Sequence, residues 1–250
     1  CNSINYARRI QLAFLPDEAH LRDSVKDYFV IWRPKDVIGG DCYWIERKDE
    51  GCLIAAIDCT GHGVPGALMT FVVLSLISRL LAHEPLHDNP AALLSRLNIL
   101  IKDELGQHGE GSESNDGMDG AFVYVKGDTV TYAGANIPLM YHRAGSDEIE
   151  ELRADKSSIG YVHSDPNFEF TNQTITLEKG SRLFLVTDGI TDQIGGDKKL
   201  SHGKKRLKKV LMESMEMQIT AQKEYFMSKF LEYKGDETQR DDNTMIGIEV

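Results

Sequence analysis

Four short segments set an aspartate against an apolar run. They read Gly39-Gly40-Asp41, Asp58-Cys59-Thr60-Gly61-His62-Gly63, Thr187-Asp188-Gly189 and Asp241-Asp242-Asn243-Thr244. They lie far apart in the chain, so only folding can gather them. Carboxylates brought together without a basic partner repel one another. A hard divalent cation with oxygen ligands, Mg²⁺ or Mn²⁺, relieves that repulsion. The chemistry to look for is therefore metal-assisted, provided the aspartates converge.

Each segment also has a plainer reading. Asp58 ends the apolar run Leu53 to Ile57, and Gly61 and Gly63 then permit a tight turn. The helix expected from Val64 would aim free N–H groups at that turn, a setting that favours an anion. The alternative is a strand-to-helix turn with Asp58 as a local cap. Asp188 repeats the layout after Leu183 to Thr187, where Asp-Gly is also a common turn. Asp241 and Asp242 precede an apolar strand and could simply be solvated. Asp41 follows two glycines that leave room for an ion and its waters. Asp119, within Gly117-Met118-Asp119-Gly120, is a fifth candidate.

The bulk numbers narrow the classes. The 250 residues suit one large domain or two small ones, and 41% hydrophobic with 27% charged residues fits a globular core. A net charge of −11 argues against nucleic acid as a partner, since phosphate backbones need a basic surface. A phosphate-bearing substrate would need something locally positive, and bound metal supplies it. Cys1, Cys42, Cys52 and Cys59 have no paired metal-ligand spacing; the last three read as small buried hydrophobes. The longest apolar run, Ala67 to Ala82, is interrupted by Ser75, Ser78 and Arg79, so no stretch is expected to reach membrane-spanning length. A cytoplasmic domain is expected, in keeping with a membrane-anchored sensor elsewhere in a longer protein. The chain opens at Cys1 without Met, in an amphipathic stretch up to Pro16. Residues 1–16 read as a linker or signalling helix, with a processed first helix as the alternative, and 17–250 as the domain.

The elements that must position the aspartates are visible as patterns. Strands are expected at Tyr28–Trp32, Cys42–Arg47 and Leu53–Asp58, with a turn at Asp49-Glu50-Gly51. Two helices follow, one from Val64-Pro65 to about His83, the other from Asn89-Pro90 to about Gln107. His108–Gly117 reads as a loop. Further strands are expected at Ala121–Lys126, Thr129–Ala133, Leu139–His142, Phe168–Leu177 and Arg182–Thr187. Helices at Lys204–Glu216 and Ala221–Tyr233 and a strand at Thr244–Val250 complete the chain. The pattern is α+β: two antiparallel sheets packed together with helices outside.

In this order the segments resemble the PPM-type metal-dependent protein phosphatases, and more narrowly their SpoIIE-like branch. The resemblance rests on Ile10-Gln11-Leu12-Ala13-Phe14-Leu15-Pro16, Val37-Ile38-Gly39-Gly40-Asp41-Cys42-Tyr43 and Asp58 through Ala67. Gly134-Ala135-Asn136-Ile137-Pro138-Leu139, Thr187 through Asp192 and Asp241 through Thr244 complete it. Within the branch the chain is most similar to the SiaA-like phosphatase modules. The resemblance implies a β-sandwich with two Mn²⁺ or Mg²⁺ ions at one end. By motif, Asp58 would bridge both ions and the Cys59 carbonyl would add a backbone ligand. Asp188 and Asp241 would complete one ion, and Asp41 would serve the other. Asp241 aligns better than Asp242, because Thr244 then matches the family's hydroxyl residue. Asp119 would support a third, weaker ion. Arg33 lies near the strand where some relatives carry a phosphate-holding arginine.

The implied activity is hydrolysis of phosphoserine or phosphothreonine by a hydroxide between the two metals. His62 is read as a turn residue, with a general acid for the leaving oxygen as the alternative. The substrate implied is a STAS-like anti-sigma-factor antagonist phosphorylated by a cognate kinase. The helix pair after Asp58 would act as a switch, linked to homodimerisation through it or through the N-terminal helix. Two rival readings are a catalytically silent docking module and a two-metal hydrolase of small phosphoesters.

Overall fold

The computed structural model describes residues 2–250, so Cys1 lies outside the described residues. In chain order the first elements are α1 (Asn2–Phe14), α2 (Ala19–Arg22), β1 (Asp27–Arg33), β2 (Asp41–Lys48) and β3 (Gly51–Cys59). Next come α3 (Gly63–His83), α4 (Pro90–Leu105), β4 (Met118–Lys126), β5 (Thr129–Ala135), β6 (Leu139–His142) and β7 (Glu150–Leu152). The last are β8 (Gln173–Thr176), β9 (Arg182–Val186), α5 (Asp188–Thr191), β10 (Ile194–Gly195), β11 (Leu200–Ser201), α6 (Gly203–Glu213), α7 (Ile219–Lys234) and β12 (Asn243–Glu249).

The strands form two five-stranded antiparallel sheets, β1-β12-β9-β6-β7 and β2-β3-β4-β5-β8, beside a small β10-β11 ribbon. Period-two alternation decides which side chains meet between them. From the second sheet Tyr43, Ile45, Ile54, Ala56, Ala121 and Val123 face inward; from the first, Leu183, Leu185, Ile246 and Ile248 answer them. The opposite parities face the helices. Leu53, Ala55, Ile57 and Phe122 pack with α3 and α4, and Phe29, Ile31, Phe184 and Met245 pack with α6 and α7. Each fully buried Leu or Ile contributes roughly 1.5–3 kcal/mol. A one-residue slip would turn a whole set outward, so burial fixes the register.

Local chemistry sets the joints. The β2–β3 hairpin closes on Asp49 and Glu50, both left-handed at φ 52° and 64°, the turn that matches strand twist. Asn89 caps α4 by accepting the Ala92 N–H at 3.2 Å, and Gly106 ends the helix at φ 64°.

Three expectations change. Phe168–Leu177 is a strand only over Gln173–Thr176. Phe168 and Phe170 instead pack edge-to-face and plug the core beside α4. The strand expected from Ala121 begins at Met118, so it takes in Asp119. Helix α3 is, despite its serines and Arg79, long and apolar enough to cross a membrane. Here it lies on the outer face of the second sheet and buries Val73, Leu74, Ile77 and Leu80 against it. The short elements α2, α5, β7, β10 and β11 carry too few residues for a periodic signal.

Helix α1 lies against α3, with Phe14 edge-to-face on Phe71 at 4.9 Å. Its one buried residue is Gln11. The Gln11 amide donates to the Gly39 carbonyl at 2.7 Å and to Thr70 Oγ1 at 3.2 Å, and accepts the Gly39 N–H at 3.2 Å.

Candidate metal centre

Three of the predicted aspartates stand in one row. Asp41 of β2 is paired with Asp58 of β3, and Asp58 with Asp119 of β4. All three share the parity of the inward-facing core residues, so the alternation that builds the sandwich ends in carboxylates at its open end. The first sheet supplies the opposite wall. There the inward parity runs from Leu183 and Leu185 to Thr187, and from Ile248 and Ile246 to Thr244 and Asp242.

Asp41 is buried, with 1% of its surface exposed. Its Oδ2 accepts hydrogen bonds from Thr187 Oγ1 at 2.7 Å and Thr244 Oγ1 at 2.8 Å. Burial drives its carboxyl well above the ordinary range, the two hydroxyls pull it back, and the Asp242 charge adds to the rise. Asp58 is pushed up to about 12, first by burial and then by the charges of Asp41 and Asp188. It lies within hydrogen-bonding reach of Asp188, which is itself exposed at the start of α5.

Parity separates the two neighbours at the start of β12. Asp242 points inward, is 2% exposed, and serves as a backbone anchor. Its carboxylate accepts the N–H groups of Lys35 at 2.7 Å and Gly40 at 2.6 Å, and Asp41 N–H at 3.3 Å. Gly39 carries no side chain because a Cβ there would collide with that carboxylate. Asp241 has the opposite parity and lines a cleft of about 270 Å³ with Asp58, Asp119 and the Cys59–His62 turn.

Of the remaining candidates, Asp119, Gly61 and His62 line this cleft and Arg33 does not; it has the parity of Phe29 and Ile31, which face α6 and α7. Asp119 Oδ1 accepts from Ser158 Oγ at 2.7 Å and Asn136 Nδ2 at 3.0 Å. Gly61 adopts φ 80°, in the left-handed region. His62 Nδ1 meets Asp36 Oδ2 at 2.9 Å and its Nε2 meets Lys35 Nζ at 3.2 Å, so both ring nitrogens are engaged at the surface. Arg33 ends β1 opposite Asn243, and its Nη1 is buried without a hydrogen-bond partner among the described residues. Thr60, Thr187 and Tyr161 complete the surroundings, and none stood out in the sequence. Thr187 could have been found by extending the strand parity past its apolar residues, as could the position of Thr244, which the motif already marks as a hydroxyl residue. Tyr161 sits in a loop without period and leaves no such signal.

These donors fit a divalent ion. They are hard oxygens, mutually repelling, and partly buried, with no Lys or Arg in the cleft lining to neutralise them. Among the described residues no three acid, His or Cys side chains already close into a tight cage. An open fan of this kind suits ions that keep several waters and take one or two carboxylates each.

The Stage II sporulation protein E (SpoIIE) family model matches residues 48–250. Among solved structures, the SiaA-PP2C domain of Pseudomonas aeruginosa is similar at 32% identity and TM-score 0.87, covering 100% of this chain and 96% of that one. The PP2C phosphatase domain of SpoIIE from Bacillus subtilis, with a fragment of its regulatory domain, shares the fold at 15% identity and TM-score 0.65. That match covers 90% of this chain and 63% of that one. The catalytic domain of the serine/threonine phosphatase PstP, solved with 2 manganese ions, shares it at 15% identity and TM-score 0.60, covering 89% and 97%. Comparison with curated proteins gives no match.

Proposed function

As this chain belongs to the Stage II sporulation protein E (SpoIIE) family and carries the PP2C-type fold, we propose that it is a metal-dependent serine/threonine protein phosphatase. The observation that carries the reading is the row Asp41–Asp58–Asp119 facing Asp188 and Asp241 across the sandwich end. Two Mn²⁺ or Mg²⁺ ions are the proposed cofactors. Asp58 would be shared between them, with Asp188, Asp241 and the Cys59 carbonyl on one side, Asp41 on the other, and Asp119 toward a weaker third. Bound there, such ions supply a nucleophile at neutral pH and offset charge on the phosphoryl oxygens.

The chain's own groups prepare that site. Thr187 and Thr244 hold the Asp41 carboxylate in one orientation, and Asp242 ties down the backbone that carries it. The close turn after Asp58 brings the start of α3 to the cleft, where free N–H groups favour an anion. No side chain need act as a nucleophile: Cys42, Cys52 and Cys59 are all buried.

The substrate we propose is a phosphorylated STAS-like regulatory protein, acted on in the cytoplasm and opposed by a cognate kinase. A homodimer through α1 and α3 is proposed as well. Tyr6, Leu12 and Phe14 on α1 and Val64 and Leu68 on α3 are exposed apolar side chains that support it. The decisive experiment is phosphate release from a phosphoserine peptide with and without Mn²⁺, for the chain and for Asp188→Ala. Turnover that requires Mn²⁺ and collapses in the variant is expected. Metal-independent turnover, or an active variant, would overturn the assignment.

A further inference from the structure

Beside the Asp119 end of the carboxylate row, the cleft is flanked by a segment without regular structure, residues 159–165, from which Tyr161 lines it. It is nonetheless firmly held. Ile159 is bridged to Met118, whose strand carries Asp119. Three side chains of α4 and its C-terminal end grip the rest. Asn98 Oδ1 accepts the Gly160 N–H at 2.8 Å, and its Nδ2 donates to the Asp165 carbonyl at 2.9 Å. The buried Lys102 ammonium donates to the carbonyls of Tyr161 at 2.6 Å and Val162 at 3.1 Å. Gln107 Nε2 donates to the Gly160 carbonyl at 2.5 Å. A buried ammonium spent on two carbonyls of one loop is an expensive device for mere packing. With the Gly160 carbonyl held by Gln107 and the next one by Lys102, the backbone is fixed on both sides of Tyr161, which lines the cleft with Asp58, Asp119 and Asp241.

The hydrogen bonds of Tyr161 leave one proton free. Thr60 Oγ1 stands 2.9 Å from the Tyr161 hydroxyl and 3.1 Å from the Gly117 carbonyl. That carbonyl already accepts the Thr60 N–H at 2.9 Å, and Thr60 Oγ1 itself accepts the Gly117 N–H at 2.7 Å. Of its two acceptors the Tyr161 oxygen is the nearer, at 2.9 Å against 3.1 Å, so the single Thr60 hydrogen is assigned to it. The phenolic hydrogen has no acceptor among the described residues and faces the cleft. No Lys or Arg lines that cleft, and His62 is engaged by Asp36 and Lys35. A phosphoryl group entering there finds Tyr161 as the neutral donor held in place for it.

We propose that Tyr161 is a substrate-contacting residue, its hydroxyl donating a hydrogen bond to a non-leaving phosphoryl oxygen, with Lys102 as the positioning residue behind it. This rests on the phosphatase reading above. The test is Tyr161→Phe, which keeps the ring and removes the donor. Four quantities are measured: kcat/KM on a phosphoserine peptide, kcat/KM on p-nitrophenyl phosphate, Mn²⁺ affinity, and affinity of the Mn²⁺-loaded protein for inorganic phosphate. The expected result is a fall of about 100-fold in kcat/KM on both substrates. Phosphate affinity falls about tenfold, while Mn²⁺ affinity and Tm stay at the parent values. Lys102→Met, with the same ring less firmly held, reproduces the loss of phosphate affinity with Mn²⁺ affinity retained. Unchanged phosphate affinity in Tyr161→Phe overturns the proposal, as does a loss confined to the peptide, which would put the hydroxyl at the leaving oxygen. If the parent chain binds phosphate but turns nothing over, the phosphatase reading fails alone, and phosphate affinity still decides for or against Tyr161.

Discussion

Replacing one oxygen by nitrogen at Asp58 separates two demands on the same side chain. Burial and neighbouring carboxylates push Asp58 up to about 12, so the metal-free fold takes up a proton there that the unfolded chain does not need. Asp58→Asn removes that demand while keeping the shape. The metal-free protein is expected to gain on the order of 1 kcal/mol in stability, read as Tm in EDTA. Mn²⁺-dependent turnover is expected to fall by at least about 100-fold. A variant that loses both stability and activity would show that Asp58 acts as a structural hydrogen-bonding group. The carboxylates themselves were legible in the sequence, because each stands at the end or the start of a strand-like run. Their division of labour was less so. Asp241 and Asp242 are adjacent and alike; the motif favours Asp241, and strand parity, counted back from Ile248 and Ile246, gives the physical reason by sending Asp242 inside and leaving Asp241 at the cleft.

Among the elements, the contact of α3 with the Gly39-Gly40-Asp41 turn is a tight joint near the site. A methyl group on Gly66 would lie 2.7 Å from the Gly61 carbonyl oxygen and 2.8 Å from the Gly40 backbone. The first turn of α3, the turn after Asp58 and the residue before Asp41 thus meet where no side chain fits. Gly66→Ala must push them apart, at a cost of about 1–3 kcal/mol. Weaker Mn²⁺ binding by calorimetry is expected along with the lower Tm. Unchanged Mn²⁺ affinity would mean that α3 can shift without moving Asp41 or Asp58. The sandwich strands and the α3–α4 and α6–α7 pairs were readable because alternation and helical spacing persist over many residues. The segment 155–171 was not. Its order comes from Asn98, Lys102 and Gln107, side chains elsewhere in the chain that bond its backbone, and no local pattern announces them.

For the whole molecule, the raised carboxyls predict a particular pH response. In Asp41, Asp58 and Asp242 the folded value lies above the unfolded one. The folded state then binds more protons than the unfolded state, so their contribution is full below the unfolded value of about 4 and is lost as pH rises. In EDTA, Tm is expected to fall as pH increases from about 5 to about 8. Saturating Mn²⁺ should flatten that slope, because the cation replaces the proton as partner. A metal-free Tm that rises over the same range would sink this account. The net charge of −11 works in the same direction, since each deprotonation adds to a surplus already present.

Helix α1 has one buried side chain, and that side chain holds both backbone groups of Gly39, two residues from Asp41. Mechanically the helix is a key with a single tooth. Each residue of an α-helix turns about 100° around the axis, so a quarter-turn of α1 would lift the tooth from its ward without unfolding anything. Torque on this helix, from whatever source, would reach the carboxylate row as the release of one amide.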